Sequence, residues 1–303
     1  MNPLRIGTRG SPLALWQANH VADLLRPLAS PRGVELVLIE TEGDRFRDRA
    51  LSQIGGDGLF TKEIQNAVLE DRVDVAVHSL KDLPTHFVEG LMLGAVPPRG
   101  PIGDAFVSSK HARCSDLPQG ARVGTSSLRR RSQLLNQRPD LRVETLRGNV
   151  ESRLRKLDEQ GFDAIILAEA GLRRLGLEVH ITEILDRRWM LPAVGQGALG
   201  LECRTADDTT RALLAHLDDA ATRAAVLCER AFLRKLGGGC LVPIGALAEV
   251  TGDRLALSGA VLNVDGTASV TGTHQGSADD PEGVGHALAA ELIGRGAGEL
   301  LRR

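Results

Sequence analysis

The sequence predicts an α/β protein made of two successive α/β domains and a smaller α+β domain. Three observations carry that expectation. Short apolar runs of strand character alternate with longer stretches whose apolar residues recur at helical spacing. The alternation pauses at "PPRGPIGD" (97–104), a linker rich in Pro and Gly, and then starts again. After Asp218 it gives way to one long helix, three strands and a final helix.

The elements follow in order. "LRIGT" (4–8) reads as a strand that runs straight into "SPLALWQANHVADLLRPL" (11–28), a helix with Ser11 at the N-cap and Pro12 at the first helical position. "VELVLIET" (34–41) is a strand, "FTKEIQNAVLEDR" (60–72) a helix, and "VDVAVHSL" (73–80) an almost continuously apolar strand of the kind buried on both faces. This β-α-β order implies a mostly parallel sheet. Beyond the linker come strand "ARVGTS" (121–126), helix "LRRRSQLLNQR" (128–138), strand "LRVETL" (141–146), helix "VESRLRKLDEQ" (150–160) and strand "FDAIILA" (162–168). A second α/β domain therefore starts near residue 103. The last part holds helix "DAATRAAVLCERAFLRKL" (219–236), a Gly-Cys loop, strands "GALAEV", "RLALSGAVL" and "ASVTGTH", and helix "GVGHALAAELIG" (283–294).

Bulk properties exclude several classes of function. A chain of 303 residues has room for two or three domains. With 42% apolar and 25% charged residues and no apolar run near the roughly 18 that a membrane span needs, a soluble protein without membrane contact is expected. The start "MNPLRIGTRG" has no apolar export region, which points to the cytoplasm. A net charge of -2 argues against nucleic acid as a partner. Cys114, Cys203, Cys228 and Cys240 are far apart, without CxxC pairs or histidines at ligand spacing, so neither a disulfide scaffold nor a metal site is favoured.

Charge is more telling locally. Residues 121–160 carry ten Lys and Arg against five acids, and nine of the ten are arginine, whose planar fork suits carboxylate or phosphate. Open α/β sheets bind ligands at the C-terminal ends of their strands. Arg9 and Ser11 follow the first strand, Lys81 and Asp82 follow "VDVAVHSL", and Thr125, Ser126 and Ser127 follow "ARVG" just before Arg129 and Arg130. Each has a plainer reading as well: Ser11 and Ser127 as helix caps, Asp82 as a turn closure before Pro84, the arginines as a solvated face.

Eight blocks stand out along the chain: "TRGSPLALWQ" (8–17), "GGDGLFTKEI" (55–64), "DVAVHSLKDLPT" (74–85), "VGTSSLRRR" (123–131), "LRGNVESRL" (146–154), "DAIILAEAGLRRLG" (163–176), "LPAVGQGALGLECR" (191–204) and "GGGCLVPIG" (237–245). In this order they resemble the porphobilinogen deaminase (hydroxymethylbilane synthase) family. The resemblance implies three domains, the first two like periplasmic binding proteins with mainly parallel, doubly wound sheets, the third a small α+β domain. Domain 1 would be 1–98 plus 197–216, domain 2 103–192 and domain 3 218–303, the chain returning to domain 1 after "AVGQGA".

The resemblance also implies chemistry: head-to-tail condensation of four porphobilinogen molecules with loss of ammonia, giving linear hydroxymethylbilane on a dipyrromethane cofactor. Cys240 would hold that cofactor through a thioether, a bond that suits a soft nucleophile and resists water, while glycines 237–239 leave room beside a bulky adduct. Asp82 would be the catalytic carboxylate, steadying positive charge and moving protons. Lys81, Ser127, Arg129, Arg130 and Asp82 would contact the cofactor, and Arg9, Ser11, Arg147, Arg153, Arg174 and Gln196 the substrate. Arg131, Arg155 and Lys156 match no family contact and read as surface charges. In the glycine loop the family commonly has lysine where this chain has Asp57, and often at Gln53; Lys62, Arg45 or Arg47 replaces that charge, or the contact is missing. A monomer is expected, its product used by the next tetrapyrrole enzyme. A two-lobed cytoplasmic anion-binding protein without catalysis is the alternative; a thiol hydrolase would need a histidine poised beside Cys240.

Overall fold

The computed structural model describes residues 2–45, 58–239 and 242–301. In chain order the elements are β1 (Leu4–Thr8), α1 (Pro12–Ala29), β2 (Val34–Leu38), α2 (Glu42–Arg45), α3 (Lys62–Leu69), β3 (Val75–Ser79), β4 (Leu91–Ala95), β5 (Asp104–Val107), β6 (Arg122–Gly124), α4 (Leu128–Gln137), β7 (Arg142–Glu144) and α5 (Val150–Glu159). There follow β8 (Ala164–Ala168), α6 (Glu169–Arg174), β9 (Glu183–Ile184), β10 (Leu199–Arg204), α7 (Asp208–Ala215), α8 (Ala220–Lys235), β11 (Ile244–Thr251), β12 (Arg254–Leu262), β13 (Ser269–Ser277), α9 (Pro281–Gly294) and α10 (Ala297–Leu300). The chain divides into two compact units, Met1–Gly100 with Gly197–Arg223, and Pro101–Gln196 with Ala224–Arg303.

The first unit is built on a sheet of order β2-β1-β3-β10-β4. β1 runs parallel to β2 and β3, and β10 runs antiparallel to β3 and β4, so β10 alone opposes the other four. Helix α1 covers one face because Ala18, Val21, Ala22 and Leu25 fall on one side of it, each fully buried against Leu4, Ile6, Val75 and Val77. Helix α3 supplies Ile64, Ala67 and Val68 to the other face, against Val73 and Ala76.

The second unit contains a sheet of order β7-β6-β8-β5-β9, with β5 as the one reversed strand. Its buried strand β8 shows the period of two directly: Ala164 and Ile166 enter one core with Phe106, Val123 and Leu134, whereas Ile165 and Leu167 enter another with Val107, Leu146 and Leu172. The same unit also holds the antiparallel sheet β11-β12-β13, with α8 and α9 packed through Cys228, Phe232, Leu288 and Leu292. Gly285 makes the approach of α9 to α8 possible, since a Cβ there would lie 2.4 Å from the Cys228 carbonyl oxygen. The Glu229 carboxylate, fully buried on α8, accepts from the backbone N–H of Gly195 at 2.7 Å and of Ala248 at 3.0 Å.

The α/β class and the mostly parallel direction of both sheets agree with the sequence reading. Strands β4, β5, β9 and β10 were not anticipated. Asp104, read as the end of a linker, is the first residue of β5 and is buried. No helix among the described residues is long and apolar enough to cross a membrane.

Candidate active site

In the first unit the predicted residues gather where β1 and β3 end. Ser11 caps α1, its Oγ accepting from the Ala14 N–H at 3.3 Å, as the plainer reading allowed. The cap uses the hydroxyl as acceptor and leaves its proton for a ligand. Beyond β3 the chain makes one tight turn over Leu80–Asp82, fixed by the Leu80 N–H on the Ala198 carbonyl at 3.0 Å and the Leu83 N–H on the Leu80 carbonyl at 3.1 Å. Leu80 and Leu83 are almost fully buried on either side, which leaves Lys81 and Asp82 half-buried between them. Among the described residues the Asp82 carboxylate has no hydrogen-bond or ion-pair partner. It lines a pocket with Arg9, Ser11, Gln17, Phe60 and His78.

Two features of this half were not visible in the sequence. Arg9 is paired with Asp44, Nη2 to Oδ1 at 2.7 Å, and stacks on Phe60. Behind the Asp82 turn, His78 Nε2 lies 3.1 Å from Glu202 Oε2, and Gln65 Nε2 donates to both oxygens of that carboxylate at 2.9 and 3.2 Å. All three side chains are buried. No local pattern signals such a trio, because its members come from β3, β10 and α3.

In the second unit the predicted residues collect at the ends of β6, β7 and β8 and the helix N-termini beside them. Ser127 caps α4 by accepting from the Arg130 N–H at 3.4 Å, and Asn149 caps α5 by accepting from the Ser152 N–H at 2.8 Å. Arg129 and Arg130 are buried, against the plainer reading of a solvated face. Arg129 donates through Nη1 to Asp104 at 2.6 Å and to the Leu191 carbonyl at 2.6 Å. Arg130 donates through Nε to Asp104 at 2.8 Å and through Nη1 to the Ile166 carbonyl at 3.0 Å. Gln196, also buried, donates to the Ile102 carbonyl at 2.8 Å and to Asp104 at 3.2 Å. Burial pushes the Asp104 carboxyl up, but the guanidiniums of Arg129 and Arg130 outweigh it and hold the group well below the usual carboxylate range. Burial in turn pulls the Arg130 guanidinium below its ordinary value, Asp104 opposing.

Two cations thus share one anion, and the cluster keeps a net positive charge. Arg147 stands at the end of β7, its backbone carbonyl accepting from Lys156 Nζ at 3.0 Å. Arg153 lies in the first turn of α5. Arg174, on α6, is buried enough that its guanidinium is pulled down to about 10. Among the described residues, Arg129 Nε and Arg147 Nη1 are buried donors with no hydrogen-bond partner. Buried donors without acceptors fit an anion with several oxygens. Of the three arginine-segment residues read as surface charges, Arg155 is exposed, whereas Arg131 donates to the Val143 carbonyl at 2.5 Å and Lys156 holds Arg147.

Cys240 lies outside the described residues, as do Gln53, Asp57 and Arg47 and the side chain of Arg45. Burial pushes the thiols of Cys114 and Cys203 up to about 11 and that of Cys228 up to about 12, so these three stay protonated and unreactive. Among the described residues no cluster of His, Cys, Asp and Glu is suited to a metal ion.

Comparison with known proteins gives concordant matches. The family model described as "Porphobilinogen deaminase, dipyromethane cofactor binding domain" matches residues 4–212, and the one described as "Porphobilinogen deaminase, C-terminal domain" matches residues 223–294. A porphobilinogen deaminase of Geobacter metallireducens is 50% identical over 298 residues, covering 98% of this chain and 93% of the relative. One of Acidithiobacillus ferrooxidans is 51% identical over 298 residues, covering 98% and 97%. Among solved structures, the methionine binding protein MetQ aligns with a TM-score of 0.45 at 12% identity, covering 71% of this chain and 89% of that one.

Proposed function

This chain belongs to the porphobilinogen deaminase family, and from that premise we propose which of its residues carry the family's reaction. It is a transferase of tetrapyrrole biosynthesis, joining porphobilinogen molecules head-to-tail with loss of ammonia. The observation that most supports the assignment of residues is the Asp82 carboxylate, half-buried on a turn that two buried leucines fix and without a partner among the described residues. As ammonia departs from the substrate, positive charge develops on the pyrrole that remains. Asp82 steadies that charge and takes the proton released when the next carbon–carbon bond is complete.

A dipyrromethane, when bound, supplies the pyrrole on which the product grows. The residues present fit such a group, because the buried donors of Arg129 and Arg147 await acceptors and Ser127 keeps a hydroxyl proton to give. In this reading Cys240 holds the dipyrromethane through a thioether, and Lys81, Ser127, Arg129, Arg130 and Asp82 surround it. Asp104 fixes both guanidiniums and takes only part of their charge. Arg9, Ser11, Arg147, Arg153 and Arg174 bind the acetate and propionate of each substrate ring, each charge-assisted contact contributing roughly 1.5–3 kcal/mol. Gln196 supports the Asp104 cluster from the segment that leads back to β10.

The three-domain division given above belongs to this reading and is supported by the three separate sheets. So does a cytoplasmic monomer whose product is used by the next tetrapyrrole enzyme. Ehrlich's reagent applied to the acid-denatured protein tests the function: a protein carrying a dipyrromethane colours. A colourless protein that still consumes porphobilinogen would contradict the proposal.

A further inference from the structure

Arg9 leaves the C-terminal end of β1 with its guanidinium fixed from two directions. Nε donates to Asp44 Oδ2 at 3.0 Å and Nη2 to Asp44 Oδ1 at 2.7 Å, a two-point pair. The Phe60 ring lies under the cation, its centroid 4.2 Å from Cζ. Asp44 is itself held, since Thr41 Oγ1 donates to its Oδ2 at 2.8 Å and the side chain is only 9% exposed. Burial pushes the Asp44 carboxyl up, but the Arg9 and Thr41 hydrogen bonds prevail, and the group is held below its ordinary value and ionised. Gly43 lets Phe60 reach this position, for a Cβ there would lie 2.1 Å from the ring.

A guanidinium has two edges that fit a carboxylate, Nε with Nη2 and Nη1 with Nη2. Asp44 takes the first. Nη1 has no part in that pair, and Arg9 lines the pocket that also holds Asp82. We propose that Asp44 is a positioning residue that acts through Arg9, locking its fork so that the second edge meets a carboxylate of the incoming porphobilinogen. The proposal rests on the assignment of Arg9 to substrate carboxylates. Asp44 is also an anion and repels the substrate, but its carboxylate is held on the Nε–Nη2 edge with the cation's charge shared between the two, whereas without it the long Arg9 side chain loses its fixed geometry. Orientation is therefore the larger effect.

Steady-state kinetics with porphobilinogen test this on four proteins: wild type, Asp44→Asn, Arg9→Gln and the double variant. Asp44→Asn is expected to raise KM about tenfold with kcat within about twofold, the mark of lost binding common to ground and transition states. Because Asp44 acts through Arg9, the double variant should show the KM of Arg9→Gln alone. Thr41→Val should raise KM in the same direction by a smaller factor, and it keeps the test open if Asp44→Asn fails to fold. A KM that stays level or falls in Asp44→Asn, or effects that add in the double variant, would overturn the proposal. An unchanged KM in Arg9→Gln would overturn it too, and would show that the assignment of Arg9 had failed first.

Discussion

Asp104 accepts from Arg129 at 2.6 Å, and almost none of either side chain reaches solvent. Arg130 meets the same carboxylate, so its removal would leave two buried cations without a counter-charge. Asp104→Asn should therefore cost about 3–5 kcal/mol in a urea titration. The sign of the pH effect follows from the depressed carboxyl. Its contribution is complete above the unfolded value of about 4 and is lost as pH falls toward the lower folded value. The gap in stability between wild type and variant should stay level from pH 7 to about 4 and narrow below that; a gap that persists unchanged into strong acid would contradict this account.

Asp82 presents the opposite case. Its carboxylate has no partner among the described residues, and so Asp82→Asn should leave Tm within a few degrees of wild type. Turnover of porphobilinogen should fall by about 10²–10⁴, the range for loss of a proton-transferring group. Thermal unfolding and steady-state turnover on one preparation check both halves, and near wild-type turnover would remove Asp82 from the mechanism.

Arg174 is a charge kept at a cost to folding. Burial pulls its guanidinium down to about 10, so the folded state disfavours the charged form at every pH below that value, and the penalty fades only as pH rises through 10 toward the unfolded value. At neutral pH, Arg174→Met should raise KM for porphobilinogen about tenfold or more. Steady-state kinetics check this, and an unchanged KM would remove Arg174 from the substrate contacts.

Much of this was legible in the sequence, for physical reasons that differ by element. Strand β8 is apolar throughout and β3 is apolar up to His78, β1 is marked by Leu4 and Ile6 on either side of Arg5 just ahead of a helix start, and α1 announces itself with a Ser-Pro start and apolar residues at 18, 21, 22 and 25. Strand β5 escaped because it opens on an acid directly after a Pro- and Gly-rich stretch. An aspartate makes sense as a buried strand residue only once two arginines about 25 positions later fold onto it. Of the reversed strands, β5 is the first in the chain to enter its sheet and β10 re-enters the other sheet only after β5–β9 have been laid down, so neither is reached by a β-α-β crossover and the rule that made the neighbouring strands parallel does not apply to them. Asp44 and Phe60 were silent for a similar cause, since what identifies them is their distance from Arg9.

Intact mass of the purified protein tests the central claim most directly. Produced where porphobilinogen is plentiful, the active wild type should weigh more than its 303-residue polypeptide by one dipyrromethane, and Cys240→Ser should lack that excess and lack activity. A fully active protein with an unmodified thiol at Cys240, or one whose added mass survives the serine substitution, would contradict the account.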